Sequence, residues 1–305
     1  MSKIKIVSRL LALGLGAFFL SWLWDNNFRI ANKLAPHDLP FEQGLIAHFP
    51  LRNSLKEVRP NGTKLLSPHP PDYRSFGLYL QGGPEDHLQF IDWDQYFKGQ
   101  QLTLAFWVKY PKLDTRINQY FNLFWEGDTG DKDRPRLSLW YNPKLAIWHQ
   151  SLAQRQGYNL PWSWSRRQAL VVTLDGPGLL SSLYVNGQQQ GQIELEDRGW
   201  PSANNLFFAQ GFSPATGLPG IYGEITLWNR VLNPKEIEDL YLHQEKRINQ
   251  FLGLRWALWG IWGLGVLGWV GLAARLAWEW QSQRASKVLR WVQSHLFQPE
   301  PGSKP

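Results

Sequence analysis

The carboxylates are the first residues to test for chemistry. Retaining cleavage of a glycosidic bond needs two acids about 5 Å apart, one to attack the anomeric carbon and one to protonate the leaving oxygen. On a strand, acids two residues apart meet that need, because alternation aims them at one face. Of the acidic strings nearest to such an arrangement, Glu236-Ile237-Glu238-Asp239 sits in a helical pattern, and Glu194-Leu195-Glu196-Asp197 is a short charged stretch with no acid placed opposite. The seven histidines form no H-x-x-H or H-E-x-x-H zinc spacing, and no G-x-S-x-G elbow presents a serine. Spacing alone does not decide a Ser-His-Asp triad. With no Cys there is no thiolate nucleophile, thiolate metal site or disulfide. The pattern predicts a protein that is not an enzyme.

Binding chemistry has better candidates. In Glu126-Gly127-Asp128-Thr129-Gly130-Asp131-Lys132-Asp133, the alternating acids Asp128, Asp131 and Asp133 offer oxygen ligands to a hard cation such as Ca²⁺. Lys132, Arg134 and Arg136 favour the other reading, a solvated hairpin loop without any cofactor. Tryptophan is in excess at eighteen residues, and indole faces stack on the apolar C–H faces of sugars while amides and carboxylates take the hydroxyls. Trp125, Trp162 and Trp200 lie at loop or strand ends and are the candidate ligand-binding residues. For Trp162, in Asn159-Leu160-Pro161-Trp162-Ser163-Trp164, simple loop packing is the alternative.

What must position these residues is a β-domain. From Leu45 to Trp228, short apolar or alternating runs are separated by Gly, Pro, Asn and Asp, which is the signature of antiparallel strands. Ten strands are predicted, at 44–51, 87–91, 102–110, 120–125, 136–141, 145–150, 168–174, 181–186, 205–210 and 221–228, enough for one sandwich. Asn186-Gly187 supplies the positive φ of a tight hairpin. Asn233-Pro234-Lys235-Glu236 then reads as cap, first-turn proline and acidic first turn of a closing helix with Ile237, Leu240 and Tyr241 on its apolar face.

Four pieces in order resemble the laminin G-like, concanavalin A-like lectin and glucanase sandwich in its bacterial form, over roughly residues 44 to 243. Gly44-Leu45-Ile46-Ala47-His48-Phe49-Pro50-Leu51 looks like its opening strand, and Gln101-Leu102-Thr103-Leu104-Ala105-Phe106-Trp107-Val108-Lys109 like its "sFTvsaWvk" strand. Trp164 with Ala169 to Gly176 and Leu183 to Gly187 is similar to "W-hhvavtydg…lYvnG", and Gly223 to Tyr241 to "DevriwNraLspeEIaaLy". The resemblance implies a jelly-roll β-sandwich with Trp107 and Trp228 at core positions. Glucanases of this fold carry E-x-D-x-x-E on one strand, and no strand here does. The family's Ca²⁺ acids are largely replaced: the closing-strand pair is Gly223-Glu224, and the early acidic loop is Arg52-Asn53-Ser54-Leu55-Lys56-Glu57.

The ends read as membrane segments. Leu10 to Trp24 is uncharged behind Lys3, Lys5 and Arg9, a short span if Arg9 snorkels. A cleaved signal peptide fits too, but no A-x-A-like site follows, which favours an anchor. Trp256 to Ala274 is a second, stronger span bracketed by Arg255 and Arg275. The formal net charge of +7 belongs to these ends, because residues 25–250 hold 23 basic and 23 acidic side chains, so no nucleic-acid face is expected. The basic flanks put both termini in the cytoplasm and the middle outside it. Gly260, Gly263, Gly268 and Gly271 fall within an arc of roughly 140° at about 100° per residue, a face for another helix, with the first span as the nearest partner. Arg275 to Phe297 reads either as a helix along the inner membrane surface or as a solvated tail.

The expected organisation is an anchor at 1–29, the sandwich at 30–245, a transmembrane helix at 246–275 and a basic cytoplasmic tail at 276–305. The expected function is a membrane-anchored, non-catalytic, lectin-like domain in the cell envelope that binds a glycan or another envelope polymer. The alternative is a docking subunit of a membrane complex that meets a protein partner through its glycine-lined second span. Reporter fusions at residues 2 and 300 should both report cytoplasm and one near Gly211 the outside. A mature N-terminus after Trp24 would instead show a cleaved signal and a single span.

Overall fold

The structure is a computed structural model. It describes residues 13–24, 26, 30–31, 38–51, 54–56, 65–74, 77–81, 86–91, 101–109, 121–126, 137–142, 146–151, 155–158, 167–195, 205–210 and 219–296. The chain divides into two compact units, Ala35–Gln250 and the ends Met1–Leu34 with Phe251–Pro305.

The first unit is an antiparallel sandwich. Its larger sheet has the order β13 (Gln188–Glu194), β12 (Leu180–Val185), β11 (Gln168–Asp175), β6 (Gln101–Lys109), β15 (Gly220–Trp228), β4 (Gly77–Leu80) and β3 (Asp72–Arg74), with β1 (Leu45–Phe49) also on β15. The second sheet runs β10 (Arg155–Tyr158), β9 (Ala146–Ser151), β8 (Leu137–Asn142), β7 (Phe121–Glu126), β14 (Asn205–Phe208), β5 (Leu88–Ile91) and β2 (Leu65–Leu66). Five of these fifteen strands, β2, β3, β4, β10 and β13, are absent from the sequence-based expectation. Four of them have only two to four residues, too few to show a period, and β13 is a polar edge strand, Gln-Gln-Gln-Gly-Gln-Ile-Glu.

Alternation fills the space between the sheets. Leu102, Leu104, Phe106 and Val108 of β6, with Leu170, Val172 and Leu174 of β11, meet Leu88, Phe90, Leu206 and Phe208 from the other sheet. The larger sheet is buried on its outer face as well: Ala105, Val171, Tyr184 and Trp228 lie against Leu232, Ile237 and Leu240, the last two on α2 (Pro234–Leu296). Burial on both faces explains why β6 and β11 read as continuous apolar runs. Trp107 is 3% exposed and Trp228 fully buried, so both serve packing. Gly223 sits opposite Trp107 across the β6–β15 ladder, and a Cβ there would lie 2.2 Å from Trp107 Cζ2.

Helix α2 starts with a capping box. The Glu236 N–H donates to Asn233 Oδ1 and the Asn233 N–H to Glu236 Oε2, each at 2.9 Å. Arg230 forks onto the same carboxylate at 2.7 and 2.8 Å, and this guanidinium holds Glu236 below the usual carboxylate range. Further along α2, Arg247 Nη1 donates to Glu224 Oε1 at 2.7 Å and to the Asp38 carbonyl at 2.6 Å. His48 Nε2 lies 2.9 Å from the same Glu224 oxygen, and all three side chains are buried. Glu224 has a φ of 39° where the β6–β15 register shifts, a strained bulge that directs the acid to the outer face.

In the other unit, the short apolar helix α1 (Leu13–Trp24) packs on α2. Trp262 Nε1 donates to the Leu20 carbonyl at 3.1 Å and Trp269 Nε1 to the Leu13 carbonyl at 2.9 Å. The Trp24 ring lies 4.4 and 4.8 Å from those of Trp259 and Trp262. The face used therefore differs from the one expected. Nothing stands within 4 Å of a Cβ placed on Gly260, Gly263, Gly268 or Gly271, whereas one on Gly265 would meet Leu20 at 2.6 Å. Among the described residues one helix, α2, is long and apolar enough to cross a membrane. It is also continuous for 63 residues, so the closing helix, the second span and the following segment are a single element.

Three substitutions test this packing in the full-length protein by thermal melting. Trp107→Ala should cost roughly 3–5 kcal/mol, the usual loss for a buried Trp, and Gly223→Ala should also lower the midpoint by displacing the indole. Arg247→Met, which strands a buried carboxylate, should cost about 3–5 kcal/mol, with part recovered in the Glu224→Gln/Arg247→Met double variant. Additive losses would show that the pair does not couple.

Candidate functional site

A proline pair borders a cleft among the described residues. β3 runs antiparallel to β4 with Asp72 opposite Tyr79, and Pro70-Pro71 precede it. Neither proline has an N–H to donate, so the ladder ends at Asp72. β2 belongs to the second sheet, and the segment from Ser67 to Pro71 crosses from it to β3 in the larger one. The sandwich therefore opens at this edge into a cleft of about 280 Å³, lined by Ser67, His69, Asp72, Tyr79, Gln81 and Asp86 among others.

The polar groups of the cleft are held in place locally. Arg74 Nε and Nη2 donate to Asp72 Oδ2 at 2.9 and 2.7 Å, and the same guanidinium lies 3.6 Å from the centre of the Tyr79 ring. The Gln81 N–H donates to Asp86 Oδ2, and Ser67 Oγ donates to the His69 carbonyl at 3.0 Å. Residues carrying two carboxylates, an aromatic ring, an amide and an imidazole thus line one small concave surface, the equipment for binding a hydroxyl-rich ligand.

Of the residues singled out from sequence, Trp162, Trp200, Asp128, Asp131 and Asp133 lie outside the described residues. Trp125 is the penultimate residue of β7, paired with Ser138 of β8 and Phe207 of β14, on different strands from those of the cleft. Among the described residues no three His, Asp or Glu side chains stand together as a metal site. Glu224, the acid left at the family's closing-strand position, has Arg247 on its carboxylate and is 3% exposed. A cation would have to displace a guanidinium there. Tyr222, one strand over from Tyr79, is fully buried, and burial pushes its phenol well above the ordinary range, so it does not ionise.

Sequence reasoning missed the residues of the cleft. The signal available was Ser67-Pro68-His69-Pro70-Pro71-Asp72-Tyr73-Arg74, where a proline-rich break opens onto acid, aromatic and base. It carries no chemical spacing until folding brings Gln81 and Asp86 beside it.

Comparisons with known proteins agree on the fold. Residues 81–238 match the family model described as the concanavalin A-like lectin/glucanases superfamily. No curated protein matches the sequence. Among solved structures, Trypanosoma rangeli sialidase in complex with 2,3-difluorosialic acid superposes with a TM-score of 0.57 at 18% identity, covering 75% of this chain and 39% of the sialidase. The receptor-binding domain of botulinum neurotoxin type G gives 0.51 at 13% identity, over 67% of this chain and 52% of that one. The binding domain of paraclostridial mosquitocidal protein 1 gives 0.53 at 14%, over 65% and 52%. The chain thus spans about two fifths of the sialidases it matches. These likenesses correct one expectation. The lack of a catalytic pattern predicted a protein that is not an enzyme, yet the same sandwich occurs in sialidases, which are enzymes, as well as in binding domains, so that exclusion does not stand. Just over half of the 305 residues lie inside the matched segment, and the chain belongs to the concanavalin A-like lectin/glucanases superfamily.

Proposed function

We propose that this protein is a membrane-anchored carbohydrate-binding protein whose sandwich takes its ligand in the cleft at the β3–β4 edge. One observation carries the reading: on a lectin-type sandwich, the polar residues Asp72, Tyr79, Gln81 and Asp86 line one concave surface. The similar structures include a sialidase in complex with sialic acid and receptor-binding domains, and both kinds support ligand capture by such a domain.

In this reading α2 is the membrane span, since its apolar window has a mean hydropathy of 1.6. Helix α1, at 12 residues about 18 Å long, inserts beside it. Both termini then face the cytoplasm and the sandwich faces outward, in line with the basic flanks. A second reading, a docking subunit, is favoured by the open side of α2, where Gly260, Gly263, Gly268 and Gly271 have no neighbour within 4 Å of a Cβ position.

A broad glycan array probed with the full-length protein in detergent micelles tests the first reading. Binding is expected, and Tyr79→Ala, which removes a cleft wall and the platform under Arg74, should weaken it by about 1–3 kcal/mol, as for an anchor residue. Trp162→Ala should leave it unchanged. The reverse pattern would put the site on the Trp162 loop, and retention of no glycan would leave docking as the better account.

A further inference from the structure

Each acid of the cleft is tied to the protein by one oxygen only. Asp72 uses Oδ2 for both Arg74 nitrogens, and Asp86 uses Oδ2 for the Gln81 N–H. Among the described residues no donor reaches Oδ1 of either. The two carboxylates are thus fixed in direction and still hold unclaimed lone pairs, which are the acceptors that sugar hydroxyls seek. An O–H donating to a carboxylate makes a short, charge-assisted bond.

Charge decides what such a cleft refuses. Among the described residues the cation bonded to these acids is Arg74, and its guanidinium is already held by Asp72 and by the Tyr79 ring. That pair cancels, and among the described residues no cation is paired with Asp86. A ligand carboxylate at hydrogen-bonding range would meet it with like sign, in a partly enclosed space where water screens less than in bulk. Size narrows the choice further. About 280 Å³ lies just under the usual range for drug-sized ligands, so the cleft has room for one ring and not for an extended chain.

Resting on the carbohydrate reading above, we infer that the cleft selects a single neutral sugar residue, with neighbouring hydroxyls donating to Asp72 Oδ1 and Asp86 Oδ1, and rejects sugars that carry a carboxylate. The selectivity runs opposite to that of a site built for sialic acid.

The test uses the full-length protein in detergent micelles on four matched probes: a galactose-terminated chain, the same chain capped with sialic acid, one ending in glucuronate and one ending in unacetylated glucosamine. The neutral probe should be bound about tenfold or more tightly than either acidic probe, the scale of one unfavourable charge contact. Asp86→Asn should weaken neutral binding severalfold and narrow the gap to the acidic probes. Asp86 also caps the Gln81 N–H, so Asp72→Asn is the second variant. Its side chain is 51% exposed, the change is isosteric, and freeing Arg74 should narrow the gap further. Acidic probes bound as well as the neutral one, binding confined to the amino sugar, or a neutral-to-acidic ratio unchanged in both folded variants would each overturn this selectivity while leaving carbohydrate binding in place. Failure of all four probes together with a blank broad array would remove the carbohydrate reading itself.

Discussion

The indole of Trp107 lies over Gly223, and the outer face of the larger sheet can close only because nothing projects from that position. With the ring close against the strand, the first turns of α2 reach the sheet and bury Ile237 and Leu240 beside Tyr184 and Trp228. The larger sheet is consequently covered on both sides. One bulge later, Glu224 turns toward this same face in a left-handed conformation, which a non-glycine residue adopts only when its surroundings hold it there. Its carboxylate is held by Arg247 on α2 and by His48 on β1, two elements far apart in sequence that the ion pair fastens to one strand. A buried charge pair contributes little net stability compared with apolar packing, but either partner alone would be costly, and this makes the arrangement specific.

The same acid shows why family position is a poor guide to ligand chemistry. A carboxylate on the closing strand can serve as an oxygen ligand when it faces solvent. Once a guanidinium from the closing helix covers it, it becomes an internal counter-ion. The function of a sandwich of this kind therefore resides in what its edges expose. One such edge is that where Pro70 and Pro71 stop the β3–β4 ladder, leaving a gap that Asp72, Tyr79 and Asp86 line.

In the unit that holds α1, helix contact is decided by side-chain shape and donors more than by smallness alone. Two indole N–H groups donate to carbonyls of α1, and Gly265 lets Leu20 approach. Trp262, Gly265 and Trp269 recur at three and four residues and so lie on one stripe of α2. The four-glycine arc lies on another. A small residue permits close approach, but a donor without water nearby requires a partner, and the requirement prevails.

Much of the fold was legible in the sequence by itself. The alternation in β5, the continuous apolar runs of β6 and β11, the Asn186-Gly187 hairpin with φ values of 52° and 79°, and the Asn233 to Glu236 capping box each follow from short-range rules that neighbouring residues satisfy alone. Core status for Trp107 and Trp228 was legible too, through the apolar run around each. The short edge strands were not, since two to four residues carry no period and are stabilised by the strand beside them. Nor was the union of closing helix, span and tail into α2, because a change from polar to apolar composition looks like a boundary although the backbone hydrogen bonds run through it. The cleft was least legible of all: Asp72 and Asp86 become neighbours only when β3 pairs with β4 and the chain returns past Gln81. Local sequence set the elements and their caps, while which acids meet and which are covered was decided by long-range pairing, since no periodicity records a contact between residues that the chain brings together only on folding.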